Sequence, residues 1–148
     1  DFDGRVIWEA ASLVEIPANS SRDYFNENKE EFLARKDTRN LLFSAELIED
    51  GKSVSRNVFF FRPFKELNVP NPQVDHTIVK ADNGFQIELK TDKLAKNVYL
   101  QIGDEEGFFT DNYFDMLPGE KITINLKTKI SEEKLNELLT VRTLDDAF

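Results

Sequence analysis

Short runs of alternating apolar and polar residues, separated by turn-forming pairs, recur about every ten residues along this chain. The clearest two are Leu41 to Ile48 and Val54 to Phe61, which Asp50-Gly51 connects. Asp-Gly between two alternating runs is typical of a tight β-hairpin turn. Strands of this length are stable only when several of them pack in layers, so the pattern predicts an all-β sandwich.

The composition favours the same class. Of 148 residues, 40% are hydrophobic, and thirteen are Phe against one Trp and one Met. Aromatic and β-branched side chains fit pleated surfaces better than helices. In the first predicted hairpin strand, alternation turns Leu41, Phe43, Ala45 and Leu47 towards a core, and Trp8 is expected in a core on the same face as Val6.

The net charge and the missing cysteines exclude several functions. The formal charge is −9, and binding to phosphate backbones or anionic lipid needs clustered Lys and Arg. We therefore expect neither a nucleic-acid nor a membrane partner, and no apolar run approaches the roughly 18 residues that span a bilayer. The chain has no Cys, which excludes disulfides and thiolate metal sites.

Proline marks a change in the middle of the chain. Pro63, Pro70 and Pro72 fall within Arg62 to Pro72, which has no strand-like alternation, and such a segment is stiff and extended. We place a domain boundary there, with domains at 1–69 and 70–148. The remaining predicted elements are strands at Arg5 to Ala10, Leu13 to Ile16, Val74 to Val79, Phe85 to Leu89, Asn97 to Ile102, Lys121 to Leu126 and Val141 to Leu144, with helices at Asn28 to Arg35 and Ser131 to Leu139.

An aromatic stretch, GFFTDNYFDMLPGE, runs from Gly107 to Glu120. Its four rings carry more apolar area than a loop exposes, so we expect them to wedge between the layers of the sandwich. These rings belong to Phe108, Phe109, Tyr113 and Phe114. Asp111, Asn112 and Asp115 are turn formers that can bond their own backbone, so the stretch is predicted to be an architectural loop.

This stretch, with KNVYLQI before it (Lys96 to Ile102) and LPGEKITI at its end (Leu117 to Ile124), resembles the C-terminal immunoglobulin-like domain of β-mannosidases in the second glycoside hydrolase family. DFDGRVIWE, VEIPANSS and LIEDGKSVSRNVFFF resemble the later strands of the sandwich that precedes it. The resemblance implies a complete immunoglobulin-like sandwich in the second half and a partial one in the first. Since the sequence opens at Asp1 without Met, we expect a fragment of a longer protein.

Residues suited to catalysis are poorly placed. Glycosidases need two facing carboxylates, but Glu46 and Glu88 lie on the polar faces of their strands, where a carboxylate is solvated. His76 is the only His, too few for a three-ligand zinc site or a triad. Asp1-Phe2-Asp3-Gly4 is better explained by a turn at Asp3-Gly4 than by a calcium loop, because Ser12 stands at the twelfth position. We predict no catalytic residue, no metal and no cofactor.

One aromatic side chain is predicted to face outwards. In Asn97 to Ile102, alternation assigns Val98, Leu100 and Ile102 to the core and leaves Tyr99 and Gln101 on the other face. An outward Tyr beside an amide could contact a saccharide or a neighbouring domain.

The resemblance implies a non-catalytic accessory region of a retaining exo-β-mannosidase, supporting an upstream catalytic barrel that would be its partner. The alternatives are a carbohydrate-binding module, a stand-alone adhesion domain and an independent jelly-roll glycosidase. The cellular compartment stays open: the resemblance is compatible with a periplasmic or secreted protein in a bacterium and with a lysosomal one in an animal.

Overall fold

The structure is a computed structural model that describes residues 1–26, 28, 33 and 36–147. It divides into two compact units. The first contains Asp1 and Arg5–Leu67, and the second contains Phe2–Gly4 and the chain from Asn68 onwards. The assignment of domains to 1–69 and 70–148 stays a prediction.

The first unit contains the predicted hairpin. Strand β1, Leu42–Glu49, pairs antiparallel with β2, Lys52–Phe60. Asp50 and Gly51 take φ values of 50° and 75° between them, the left-handed conformation that a two-residue hairpin turn requires. Two short 3-10 helices, Thr38–Asn40 and Phe64–Glu66, flank the hairpin.

The inward face of this hairpin is shorter than predicted. Leu41 is buried and Phe43 is half-buried, but Ala45 and Leu47 are exposed, so the prediction was wrong for these two. The reason is that, among the described residues, β1 and β2 form a two-stranded sheet, and its end next to the turn is exposed to solvent.

The predicted strands at Arg5 to Ala10 and Leu13 to Ile16 are not formed, because both segments are irregular. Leu13 is fully exposed and Val6 is 70% exposed, so alternation here does not reflect a buried face. Trp8 is 37% exposed and contacts the rings of Phe25 and Phe43, at centroid distances of 5.7 and 6.4 Å. Its predicted full burial was wrong. The predicted helix at 28–35 lies outside the described residues, except for 28 and 33.

The second unit is a two-layer sandwich. A four-stranded sheet has the order β3-β4-β8-β6, and a three-stranded sheet has the order β7-β5-β9. All neighbouring strands are antiparallel. The strands are β3 Val74–Ala81, β4 Gly84–Thr91, β5 Ala95–Ile102, β6 Gly107–Phe109, β7 Phe114–Met116, β8 Lys121–Thr128 and β9 Leu139–Arg142. Four strands against three is the arrangement of a constant-type immunoglobulin domain, which confirms the predicted fold class.

Alternation in the central strands builds the core of this unit. In β4, Phe85, Ile87 and Leu89 are buried while the residues between them are exposed. Strand β8 adds Ile124 and Leu126 to the same sheet, and β5 of the other sheet contributes the facing apolar side chains, so the two inner sheet faces interdigitate as in other sandwiches. The buried cluster consists of Phe85, Ile87, Leu89, Ala95, Val98, Leu100, Ile102, Met116, Ile124, Leu126, Leu135 and Leu139.

The aromatic stretch contains two short strands, β6 and β7, that were predicted as loop. Phe109 and Phe114 pack against the core, as expected. Phe108 and Tyr113 are 67% and 68% exposed, so the prediction that they wedge between layers was wrong. Pairing explains Phe108: it lies opposite the exposed Lys127, while Phe109 lies opposite the buried Leu126.

Polar side chains of the same stretch bind the backbone of β5. The Asn112 side chain accepts from the Leu100 amide at 2.7 Å and donates to the Leu100 carbonyl at 2.9 Å. The Asp115 carboxylate accepts from the Asn97 amide at 2.9 Å and from the Lys96 ammonium at 2.8 Å. Asn112 and Asp115 therefore bind across the sheet, so the prediction that they bond their own backbone was wrong for these two. Asp111 does bond locally, since its carboxylate accepts from the Asn112 amide.

The C-terminal elements largely follow the prediction. Helix α1, Glu132–Leu138, begins after Ser131, whose hydroxyl accepts from the Lys134 amide. Strand β9 begins at Leu139, two residues before the predicted position, because Leu139 and Val141 face the core.

The first residues of the chain belong to the second unit. Phe2 is buried, and its carbonyl accepts from the Leu94 amide at 2.9 Å. Gly4 turns the chain at φ 89°; the predicted turn at Asp3-Gly4 is confirmed.

We predict that Asp115→Ala lowers the free energy of unfolding of the second unit by about 3 to 5 kcal/mol, because it removes the carboxylate that balances the charge of the buried Lys96 ammonium. The side chains of Lys96 and Asp115 are only 6% and 23% exposed. Glu88→Ala is the control: it breaks a pair whose side chains are 46% and 58% exposed, and should cost less than about 1 kcal/mol. Urea unfolding followed by NMR signals of β4 and β5 measures both, since Trp8 reports only on the first unit. Equal losses would contradict this account.

We also predict that Gly84→Ala destabilises the second unit by about 3 kcal/mol, through backbone strain and steric overlap. Gly84 has φ 145°, and a Cβ there would lie 2.0 Å from the Leu126 carbonyl oxygen. Gly119→Ala is the matched control, since its φ is 79° but no atom lies within 4 Å of its Cβ. The same urea experiment compares them, and a smaller loss at Gly84 than at Gly119 would contradict the predicted overlap.

Candidate functional site

The predicted contact residues lie on the outer side of the three-stranded sheet. Val98, Leu100 and Ile102 are buried in the core, while Tyr99 and Gln101 are half-buried and lie on the opposite face of β5. The outward placement follows from strand alternation, as the sequence predicts. Whether the two residues bind anything stays a prediction.

A second tyrosine joins Tyr99. The rings of Tyr99 and Tyr113 stack with their centroids 4.7 Å apart and their planes at 23°. Tyr113 precedes β7, and its amide donates to the Val98 carbonyl at 2.8 Å. Its φ is 61°, in the left-handed region that bulky side chains rarely adopt. The backbone therefore holds a largely exposed ring against its neighbour.

Strand β9 completes this face with polar groups. Arg142 lies directly opposite Tyr99, and Thr140 lies opposite Gln101. Both are exposed, and directly opposed residues have Cβ atoms about 5 Å apart. We call the five residues Tyr99, Gln101, Tyr113, Thr140 and Arg142 the outer tyrosine face.

Of this face, the sequence predicted only Tyr99 and Gln101. Tyr113 was assigned to the core with the other rings of its stretch, although its position between turn formers was a signal of a sharp backbone bend. Arg142 lies within the predicted last strand, Val141 to Leu144, but it was not assigned to either face of that strand. The alternation of Leu139 and Val141 with Thr140 and Arg142 would have placed the Arg correctly.

A second concave surface lies at one end of the four-stranded sheet. It is an open depression of about 900 Å³ between three loop regions, and the exposed Phe108 lies on its wall. Its lining residues are 80–85, 104–108 and 127–130. Acidic and basic side chains alternate around it, and Glu105 pairs with Lys134 at 2.5 Å. The depression is wide and open to solvent.

The carboxylates singled out from the sequence are solvated. Glu46 and Glu88 are both exposed, and Glu88 pairs with Lys121 at 3.0 Å. His76 is exposed on β3. In the part of the chain that the structure describes, no group of three or more His, Asp or Glu side chains could hold a metal ion. Within that part, no helix has the length and apolarity needed to cross a bilayer.

One carboxylate in the first unit has a strongly perturbed titration. The Asp37 carboxylate accepts from the Arg39 guanidinium at 2.7 to 3.1 Å and from the Arg39 amide at 3.1 Å. These bonds lower the pKa of Asp37 to about 2. A general acid has to carry its proton near the working pH, so Asp37 is unsuited to that role.

Two family models match this chain, one for each part of it. A family model described as an Ig-fold domain, built for mannosidases, matches residues 69–147, and a second, described as a mannosidase Ig/CBM-like domain, matches residues 1–66. The second unit is thus an immunoglobulin-fold sandwich by both topology and sequence. The chain belongs to the family of mannosidase immunoglobulin-fold domains.

A solved structure agrees with the fold. The crystal structure of a β-D-mannosidase from Dictyoglomus thermophilum is similar with a TM-score of 0.66 and 23% identity, over 76% of this chain. The match spans only 14% of that protein's chain. A search of curated proteins found no significant match.

We predict that the Asp37 carboxyl titrates near pH 2 in the folded protein, against about 3.9 when unfolded. Because the folded pKa is the lower one, its stabilising contribution is complete above about pH 4 and is lost as the pH falls towards 2. Carboxyl NMR of the intact chain measures the titration. Arg39→Ala should raise the midpoint towards the ordinary value, while Arg142→Ala, in the other unit, should leave it unchanged. An unperturbed midpoint in the unsubstituted protein would contradict the prediction.

Proposed function

We propose that this chain is a non-catalytic accessory region of a retaining exo-β-mannosidase, an enzyme that removes terminal β-D-mannose. The observation that carries the proposal is the match of both parts of the chain to mannosidase-associated sandwich domains. In this proposal the reaction takes place in an upstream catalytic barrel, and the two sandwich regions support that barrel.

The use of charged side chains in the second unit supports a structural role. Asp115 is held by Lys96 and by the backbone of β5. Glu88 and Glu105 form ion pairs with Lys121 and Lys134. A glycosidase needs two carboxylates free to face one sugar, about 5 to 5.5 Å apart in a retaining enzyme. Carboxylates engaged by cations within the fold are unsuited to that task.

A carbohydrate-binding module is the second candidate function. The stacked rings of Tyr99 and Tyr113 favour it, because exposed aromatic rings beside polar groups are the surface that such a module presents. The two candidates are compatible, since an accessory region can both support a barrel and bind saccharide.

We predict that the purified 148-residue chain releases no nitrophenol from p-nitrophenyl β-mannoside above the enzyme-free rate, since the catalytic pair belongs elsewhere in this proposal. The control is a known β-mannosidase at the same concentration. If the chain did hydrolyse the substrate, and if Glu88→Gln or Glu105→Gln abolished that hydrolysis, the proposal would be overturned.

The coding sequence on the N-terminal side of Asp1 provides an independent test. We expect it to encode a (β/α)₈ barrel with two carboxylates about 5 to 5.5 Å apart. A barrel with a separation of about 6.5 to 9.5 Å would indicate inversion instead, and the absence of any glycosidase domain would contradict the accessory role.

A further inference from the structure

We propose that the outer tyrosine face is a saccharide-binding site, with Tyr113 as its stacking platform and Gln101, Thr140 and Arg142 as hydrogen-bonding groups. This rests on the second candidate function, the carbohydrate-binding module, and gives that function a site and a ligand class. The ligand class is a short neutral oligosaccharide of pyranose units.

The backbone at Tyr113 is strained in a way that points to a functional role. A bulky residue with φ 61° is strained, and such strain costs of order 1 to 3 kcal/mol and is concentrated at functional sites. Asn and Gly adopt this conformation more readily. The ring that the strained backbone presents is 68% exposed, so core packing does not account for a Tyr at this position.

The Tyr113 ring is also fixed in place. The amide bond to the Val98 carbonyl holds the backbone, and the Asn112 side chain, next in the chain, is bonded twice to Leu100. Stacking on Tyr99 then fixes the plane of the Tyr113 ring. A platform ordered before binding loses less entropy when a ligand arrives.

The polar groups beside the two tyrosine rings match the chemistry of a sugar. A sugar presents an apolar ring face together with hydroxyl groups that donate and accept. Tyr supplies an apolar face with a polar tip, while the Gln101 amide donates and accepts and the Arg142 guanidinium donates. Among the residues that the structure describes, neither of these two side chains forms a hydrogen bond or ion pair, so both can serve a ligand.

These features favour a saccharide over a protein partner. The polar groups lie next to a single raised ring rather than around a wide apolar patch, and a stable protein interface buries about 800 Å² on each side. A short row of five residues on two strands and a turn is closer in size to two or three sugar units.

The test is a titration of the ¹⁵N-labelled chain with mannotriose, with cellotriose and maltotriose as alternative glycans. We expect fast-exchange shifts of the Gln101, Tyr113, Thr140 and Arg142 amides with a dissociation constant in the millimolar range for one of the three. Heat measured by isothermal titration should give the same constant. Saturation without shifts at these amides would overturn the proposal, as would the absence of binding to all three sugars.

The decisive variant is Tyr113→Asn. It removes the ring but suits the left-handed backbone, so the protein should stay folded, with a melting temperature within a few degrees of the original, while binding weakens about tenfold or more. Phe108→Ala is the matched control, because that ring is equally exposed, at 67%, on the other sheet, and its loss should leave binding unchanged. Retained affinity in Tyr113→Asn would overturn the platform role. The two proposals are tested independently. Failure to bind sugar at the outer tyrosine face would overturn the binding site but leave the accessory role intact, whereas hydrolysis of the mannoside by the chain would overturn the accessory role.

Discussion

The backbone pairing of β5 is the constraint on which the second unit depends. As the middle strand of the three-stranded sheet, β5 needs partners for its backbone groups on both sides, and it obtains them from β7, β9 and side chains. Between Ala95 and Val98 the pairing with β7 shifts register, and Asp115 fills the gap by binding the Asn97 amide and the Lys96 ammonium. A buried ion pair is costly unless its remaining bonding capacity is used, and here a backbone amide uses it.

The same bonds explain where the rings lie. Because Asn112 is bonded to Leu100, the chain has to turn sharply at Tyr113 before β7 begins. That turn places Phe114 against the core and Tyr113 on the opposite side, against Tyr99. The architecture of the sandwich and the candidate ligand surface are thus produced by one short segment.

The sequence was sufficient for elements whose signal is local. The Asp50-Gly51 hairpin, the alternation of β4 and the Ser131 cap were all predicted, because turn chemistry, strand period and capping act over a few residues. Long-range effects were not predictable in this way. Alternation cannot show how far a hairpin face is covered, so Ala45 and Leu47 were assigned to a core, whereas both are exposed. Nor can it show that Asp115 and Asn112 bind a distant strand, and the orientation of Tyr113 depends on that bond.

The placement of Phe2 has a consequence for how these regions can be exchanged between proteins. Phe2, a buried residue from the start of the chain, belongs to the unit whose strands begin some seventy residues later. The Leu94 amide donates a hydrogen bond to the Phe2 carbonyl. The two units are therefore not successive segments of the chain, because the second unit takes residues from both sides of the first. A recombination crossover in the proline-rich connection would transfer the second unit without Phe2. The Leu94 amide would then lose its hydrogen-bond acceptor, and a cavity would replace the Phe2 side chain. We therefore expect the two units to have been inherited together.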